Sequence, residues 1–295
     1  MTKRKPLDPG LPPSFRVNAA TLLGVPVSRL RGSDLAAPFH GMRLAGSGDL
    51  TSVLELCRAY LAVAPARFAF SHETAAVLYA IPLPARAEGG PLHVSVPAEA
   101  AQVRRAGVIG HRGLEASRLR AGLPVVPPET VWLQLATTLS VDDLIVAGDH
   151  LLQGRPALST LERLGAEVES ARGRRGVARA GAALLELRIG VRSPRETRLR
   201  LLLVRAGLPE PVVGFQVHHE GAFVGTPDLA YPDLRIAIEY EGQHHRTDRN
   251  TYEDDIIRRE LFRRAGWLVL LVTDRTFSRP PVLLGDLRAL IAERA

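Results

Sequence analysis

An apolar run that ends in acidic residues is the feature that most constrains the fold of this chain. Leu234 to Ile238 has the pattern of a β-strand, and Glu239, Tyr240 and Glu241 follow it directly. Because residues two apart in a strand point to the same face, Glu239 and Glu241 project together and Tyr240 projects to the opposite side. Asp228, on the preceding strand, would complete a cluster of three carboxylates. Such a cluster needs protons or a cation, and we expect a cation.

Length and composition bound the classes of protein that remain. A chain of 295 residues with 46% hydrophobic residues predicts two packed domains. The net charge of +7 and the pI near 10.2 favour a polyanionic partner such as nucleic acid, although a generally arginine-rich proteome would give the same balance. Cys57 is the only cysteine, which excludes a disulfide framework and a thiolate zinc site.

The sequence contains neither a signal peptide nor a run of about 18 apolar residues. Its basic start, Met1 to Pro6, is followed by prolines rather than by an apolar segment. We therefore expect a cytoplasmic protein with no membrane partner.

Lysine is nearly absent. Lys3 and Lys5 are the only two lysines, so almost every positive charge is an arginine. Arginine is effectively never deprotonated in proteins. A mechanism that needs a lysine inside a folded domain is excluded.

The first two thirds of the chain predict a disordered tail at 1–14, a mainly helical α+β domain at 15–155 and a helical, arginine-rich connector at 156–192. Val17 to Leu23, the turn at Gly24 to Pro26 and a second helix start at Ser28 resemble a helix-turn-helix, but helical hairpins share that pattern. Further helices are predicted at 51–61, 72–79, 127–139 and 141–152, with short strands at 92–96 and 107–111.

Residues 193–295 give sharper signals. Ser193 to Glu196 has the pattern of a capping box with proline at the first helical position, and it opens a helix to about residue 206. Strands are predicted at 212–219, 222–230, 235–241 and 267–273, and helices at 249–265 and 282–293. The order α-β-β-β-α-β-α predicts an α/β domain with a mixed four-stranded sheet.

That order, with an aspartate on the second strand and an acidic pair on the third, resembles the PD-(D/E)xK nuclease superfamily. Residues 193–293 are most similar to its Vsr-like or DUF559 endonuclease-domain branch, which implies a restriction-endonuclease-like αβββαβ core. The resemblance depends on Ser193 to Thr197, Pro227-Asp228-Leu229, Ile238 to His245, Asp254 to Arg264 and Gly266-Trp267. Residues 65–150 resemble, less closely, an AbiEi-type antitoxin-related domain, through Ser71 to Ala76, His93 to Pro97 and Leu123 to Val125.

The resemblance implies metal-dependent chemistry at particular residues. Asp228 and Glu239 match the acidic ligands of Mg²⁺ (or Mn²⁺), and the carbonyl of Tyr240 would be a further ligand. Glu196 matches a position that orients a metal-bound water or a second ion. A capping role alone would also explain Glu196.

One position departs from the superfamily pattern, because Glu241 stands where the motif has a lysine. Glu241 could act as the general base or bind a second metal ion. A shifted strand register could instead use Gln243, and His245 could accept a proton near neutral pH. The identity of the base therefore stays open.

Other charged and aromatic residues have simpler interpretations. Arg258, Arg259 and Arg263 lie on a helix face that is either solvated or in contact with phosphates. Phe262 and Trp267 are expected in the core. The histidines at 72, 93 and 111 lack the spacing of metal ligands, so we expect them to be structural, and those at 218 and 219 should face solvent.

The sequence thus predicts a Mg²⁺-dependent endonuclease that hydrolyses DNA phosphodiester bonds. The alternative is a non-catalytic DNA-binding or antitoxin-like regulator built on a degenerate nuclease fold, which the missing lysine favours. DNA is the expected partner. The oligomeric state stays open, with a homodimer as one option.

Overall fold

The computed structural model describes residues 7, 10–45, 52–87, 89–241 and 249–294. The chain divides into two compact units. The N-terminal unit comprises Met1–Leu139 and Ala166–Ala178, and the C-terminal unit comprises Ser140–Gly165 and Arg179–Ala295. The first division therefore falls at Ser140, before the predicted domain end at 155, and the predicted connector contributes residues to both units. No helix of the described ranges is long and apolar enough to cross a membrane.

The N-terminal unit contains two β-sheets. The three-stranded antiparallel sheet has the order β1-β3-β2 and is formed by β1 (Ser14–Arg16), β2 (Leu35–Ala36) and β3 (Met42–Ala45). The strands of the six-stranded mixed sheet are β4 (Ala69–Phe70), β5 (Leu92–Val96), β6 (Arg104–Arg105), β7 (Val108–Arg112), β8 (Arg118–Arg120) and β9 (Leu123–Val125). They are arranged as β6-β7-β5-β4-β9-β8.

The helices of this unit are short and follow the predicted positions. They are α1 (Val17–Leu22), α2 (Val53–Leu61), α3 (His72–Leu78) and α4 (Pro128–Leu135). The predicted second helix of the helix-turn-helix is a three-residue 3₁₀ turn, Arg29–Arg31, which is too short to act as a recognition helix. The region also holds more β structure than its sequence predicted. Most of its strands are only two or three residues long and show no alternation of apolar and polar residues, so the sequence pattern did not reveal them.

The C-terminal unit is mixed α/β, as predicted. Its helices are α5 (Val141–Leu151), α6 (Leu161–Ser170), α7 (Val177–Leu185), α8 (Pro194–Arg205), α9 (Arg249–Arg264), the single turn α10 (Asp274–Phe277) and α11 (Pro280–Arg294). Of these helices, α6 and α7 contain residues of both units. Its strands are β10 (Val212–Val213), β11 (Val217–His219), β12 (Ala222–Gly225), β13 (Leu229–Tyr231), β14 (Ile236–Glu241) and β15 (Leu268–Thr273).

A mixed four-stranded sheet lies at the centre of the C-terminal unit, as predicted. Its order is β10-β13-β14-β15, with β14 and β15 parallel and the other neighbours antiparallel. The predicted strand at 212–219 is divided into β10 and β11, and the one at 222–230 into β12 and β13. Whereas β10 and β13 belong to the four-stranded sheet, β11 and β12 pair with each other as a separate ribbon. Gly214, with φ of +67°, interrupts the first strand, and Pro227, which has no N–H to donate, precedes Asp228 at the break in the second.

The two faces of the sheet pack against different helices. On one face, Ile236 and Ile238 belong to a buried cluster with residues of α8 and α11, among them Leu199 and Leu287. On the other face, Ala237 packs with a cluster formed by Val217, Ala230, Phe262, Ala265 and Trp267. The predicted core positions of Phe262 and Trp267 are confirmed. Because side chains alternate along β14, Glu239 lies on the α9 face, two residues beyond Ala237.

A buried ion pair joins α5 to α8. Asp149 and Arg200 are each 1% exposed, and Arg200 Nη2 lies 3.3 Å from Asp149 Oδ2. The Thr197 hydroxyl donates to the same oxygen at 2.9 Å, and the Arg188 N–H donates to Oδ1 at 2.8 Å. Burial raises the pKa of Asp149, while these hydrogen bonds and the Arg200 charge act in the opposite direction. The pair is stable only as a complete network.

Removing one partner of this network should destabilise the C-terminal unit. Arg200→Met leaves the Asp149 carboxylate buried without its cation, which costs about 3–5 kcal/mol. The loss can be measured from the urea dependence of hydrogen exchange in peptides of α5 and α8. Arg263→Met is the matched control, because Arg263 pairs with Glu260 on the surface and should change nothing measurable. Equal effects of the two substitutions would contradict this assignment.

Candidate functional site

Asp228 and Glu239 lie side by side on neighbouring strands. Leu229 of β13 pairs with Ile238 of β14, so the preceding Asp228 is beside Glu239 across the antiparallel ladder. Asp228 Oδ2 also accepts a hydrogen bond of 2.8 Å from the backbone N–H of Tyr240. The strand pairing therefore fixes the position of the Asp228 carboxylate.

Three of the four predicted carboxylates line one cavity. Its volume is about 280 Å³, and its walls are formed by Arg192, Asp228, Glu239, Tyr240, Glu241, Arg258, Arg259 and Leu271. The strand alternation thus brings Asp228, Glu239 and Glu241 to one surface. In the described part of the chain, the oxygens of these three side chains do not all lie within 4.8 Å of one another, so the carboxylates are not tightly packed.

Each of these carboxylates contacts an arginine. The nitrogen–oxygen distances are 2.8 Å for Arg192–Asp228, 2.7 Å for Arg258–Glu239 and 3.9 Å for Arg259–Glu241. The acidic side chains are mostly buried, whereas about half of the Arg192 side chain is exposed. Guanidinium groups therefore neutralise the acidic cluster in this structure.

Arg258 is held in place by more than its ion pair. It donates to the carbonyl of Thr226 at 3.0 Å, and its guanidinium lies 5.8 Å from the centre of the Phe262 ring. Gly225 leaves room for this arrangement, since a Cβ at that position would lie 3.3 Å from Arg258 Nε and 3.2 Å from the Phe262 ring.

Glu196 is buried at the start of α8, next to the acidic cluster. Its backbone N–H donates to the Ser193 hydroxyl at 3.2 Å, so Ser193 caps the helix as predicted. The Glu196 carboxylate accepts the backbone N–H of Arg192 at 2.9 Å. Burial, and then the Asp228 charge, raise the pKa of Glu196. Glu196 is therefore in electrostatic contact with Asp228 but is not part of the cavity wall.

The remaining predicted residues have different positions. Arg263 pairs with Glu260 on the exposed side of α9, away from the cavity. The Tyr240 side chain points to the opposite face of the sheet, where it bonds Arg195 and Asp274, and burial raises its pKa to about 12. Gln243 and His245 lie outside the described residues, so their roles stay predictions.

The donor set of this cavity fits Mg²⁺. Carboxylate oxygens are the ligands that this hard ion prefers, and Asp228 and Glu239 present them on adjacent strands. An ion bound there would take the place of Arg192 on Asp228 and of Arg258 on Glu239.

The structure also brings together three histidines that the sequence did not connect. His72, His93 and His111 form a cluster in the N-terminal unit, in which one ring nitrogen of each lies within 4.8 Å of those of the others. Their separations in the sequence, about twenty residues, gave no sign of this cluster. The contact arises from the pairing of β5 with β7, which only the sheet topology reveals.

No family model matches this chain. Two Mycobacterium tuberculosis proteins, uncharacterized protein MT2308 (strain CDC 1551 / Oshkosh) and uncharacterized protein Rv2248 (strain ATCC 25618 / H37Rv), are each 31% identical to it over 141 residues. The match covers 46% of this chain and 51% of either relative, so the chain spans about half the length of the curated relatives that it matches.

One solved structure shows a distant likeness. The crystal structure of the RV2827C protein from Mycobacterium tuberculosis has a TM-score of 0.41 and 20% identity, and the alignment covers 71% of this chain and 85% of that one. At this TM-score, the likeness carries no argument about fold or function.

The raised pKa of Glu196 predicts a pH-dependent stability. The folded protein binds the Glu196 proton more tightly than the unfolded chain does. The free energy of unfolding should therefore decrease as pH rises from 4.5, the ordinary value, through the folded-state pKa. Glu196→Gln removes this titration and keeps an oxygen that can accept from the Arg192 N–H.

Urea unfolding between pH 4 and pH 8 measures the effect. The variant should gain stability relative to the original protein as pH rises through that window, and the difference should vanish at the acidic end. Glu293→Gln, at the exposed end of α11, controls for the loss of one acidic charge. A difference that does not change with pH would contradict the prediction.

Proposed function

We propose that the C-terminal unit is a Mg²⁺-dependent endonuclease domain that hydrolyses phosphodiester bonds in DNA. The observation that carries this proposal is the single cavity in which Asp228, Glu239 and Glu241 stand opposite three arginines. The carboxylates supply ligands for a hard cation, and the guanidinium groups supply partners for phosphate. The similarity to PD-(D/E)xK nucleases in the order of strands and acidic residues supports the same reaction.

The acidic residues would hold the ion. Asp228 and Glu239 provide its carboxylate ligands, with the Tyr240 carbonyl as a further candidate. Mg²⁺ in such a site polarises the phosphodiester and lowers the pKa of a nearby water. Glu196 is buried and close to Asp228. It accepts the backbone N–H of Arg192 and so positions Arg192, whose side chain binds Asp228.

The arginines would exchange partners when substrate binds. In this structure, Arg192 and Arg258 neutralise Asp228 and Glu239. With Asp228 and Glu239 bound to a cation, both guanidinium groups would be free to bind a DNA phosphate, because arginine binds phosphate oxygens through two parallel hydrogen bonds.

Glu241 is the proposed proton acceptor. It stands at the position of the motif lysine, its side chain is 27% exposed, and Arg259 Nη2 lies 3.9 Å from its Oε1. This long contact leaves the carboxylate accessible to water. Gln243 and His245 stay candidates for auxiliary roles.

Substitution of a ligand tests the enzymatic proposal. Asp228→Asn should lower Mg²⁺-dependent nicking of supercoiled plasmid DNA by more than about 100-fold, the upper range for changes that only affect the support of a ligand. Asp233→Asn, in the exposed turn between β13 and β14, is the matched control and should keep the original rate. An unchanged rate in Asp228→Asn, or no metal-dependent cleavage by the original protein, would refute the proposal.

The second candidate function is a DNA-binding regulator without catalysis. It is favoured by the three arginine–carboxylate pairs, because a cluster that is already neutralised needs no metal ion. The two candidates differ in their response to chelators. If DNA binding in EDTA equals that in Mg²⁺, is unaffected by Asp228→Asn, and is accompanied by no cleavage, the regulator is the correct assignment.

A further inference from the structure

The histidine cluster of the N-terminal unit has the geometry of a ligand set. His93 is on β5 and His111 on β7, and these parallel strands pair Ser95 with His111, so both histidines point to the same face of the sheet. His93 Nδ1 lies 3.0 Å from His111 Nε2. His72 stacks on His111 with 3.6 Å between ring centres.

The surroundings of the three rings disfavour their charged form. Burial is the main cause, and it lowers the pKa of His72 to about 3, with the neighbouring His111 and His93 adding to the effect. Burial also lowers the pKa of His93 and of His111, against the opposing charge of Glu73. A neutral imidazole carries the lone pair that a metal ion requires.

The backbone at His72 is in an unfavourable conformation. Its φ is +50°, in the left-handed region that residues other than glycine rarely adopt. The conformation is held by a hydrogen bond of 2.9 Å from the His72 N–H to the Gln134 side chain. The Ser71 hydroxyl also lies 3.1 Å from His72 Nδ1, which leaves Nε2 as the other ring nitrogen. Strain of this kind persists at sites where a side chain has to be aimed at a ligand.

A carboxylate lies beside the cluster. Glu73 Oε2 is buried, receives no hydrogen bond from the described residues, and stands 3.4 Å from His93 Nδ1. The other oxygen, Oε1, accepts a hydrogen bond from Thr138. A negative charge next to histidine ligands helps to balance the charge of a bound ion.

We propose that His72, His93 and His111 bind a divalent transition-metal ion, with Zn²⁺ as the ion that this ligand set fits best. Imidazole nitrogens suit Zn²⁺, and three histidines leave the fourth tetrahedral position for water or an exogenous ligand. Zn–N bonds of about 2.1 Å place ligand nitrogens about 3.4 Å apart. One ring nitrogen of each histidine lies within 4.8 Å of the others, and the stacked rings would rotate to bring them to that spacing when an ion binds.

The site is accessible to an incoming ion. A cavity of about 210 Å³ is lined by Glu73 and His93, together with Pro91 and Leu92. Glu73 and one of the three histidines therefore border open space, whereas His72 is held by hydrogen bonds to Ser71 and Gln134. This site lies in the N-terminal unit and is independent of the nuclease proposal.

Zinc titration of the full chain tests the proposal. In competition with a chromophoric chelator, the original protein should bind one Zn²⁺ ion that His111→Asn and His93→Gln each weaken by at least 100-fold. His40→Asn, an exposed histidine of the same unit, is the matched control and should leave this ion unaffected. Equal zinc affinity and stoichiometry in the original protein and in a folded His111→Asn variant would overturn the proposal.

X-ray absorption of the original protein with one equivalent of Zn²⁺ provides a second measurement that needs no variant. Three imidazole nitrogens at about 2.0–2.1 Å are expected. Fewer than three imidazoles, or no binding at all, would also overturn the proposal.

Discussion

The parallel pairing of β14 with β15 determines most of what surrounds the candidate nuclease site. Two parallel neighbours cannot be joined by a tight turn, so the chain has to cross over one face of the sheet, and α9 is the long helix of that crossover. The helix covers the face on which Ala237, Glu239 and Glu241 project. Arg258 and Arg259 thereby come to lie over the carboxylates. The crossover helix α9 therefore both packs against the core and carries two of the arginines that line the cavity.

The absence of lysine after position 5 of the sequence gives this cavity its character. A lysine could lose its proton when buried, whereas an arginine keeps its charge and can form two directed hydrogen bonds. Each acidic residue of the cavity wall consequently lies beside a permanently charged guanidinium group. Glu196 differs, because its local partners are a backbone N–H and another acid, and its raised pKa reflects that environment.

Local patterns were sufficient to predict the central features of the C-terminal unit. Alternation along residues 236–241 placed Glu239 and Glu241 on one face, and the capping sequence at Ser193 placed the start of α8. The partner of Glu239 was not predicted, because nothing in the sequence shows which residue of a distant helix will lie over a strand. The breaks near Gly214 and Pro227 were also missed, since each predicted strand keeps its apolar pattern across the break.

The N-terminal unit was harder to predict for the same physical reason. Strands such as Arg104–Arg105 are stabilised by their neighbours in the sheet and have no pattern of their own. The three histidines belong to a helix start and to two strands, so only the pairing of β5 with β7 makes them neighbours. Their interpretation as separate structural residues followed from spacing alone.

Gly225 connects packing to charge in the C-terminal unit. A methyl group there would press on the Phe262 ring and on Arg258 at once, at distances where neighbouring atoms have to yield by a few tenths of an ångström. Phe262 is fully buried and has little freedom to move, so the displacement would pass to the arginine. The absence of a side chain at Gly225 thus allows Arg258 to reach Glu239, so the packing of the core controls the charge balance of the cavity.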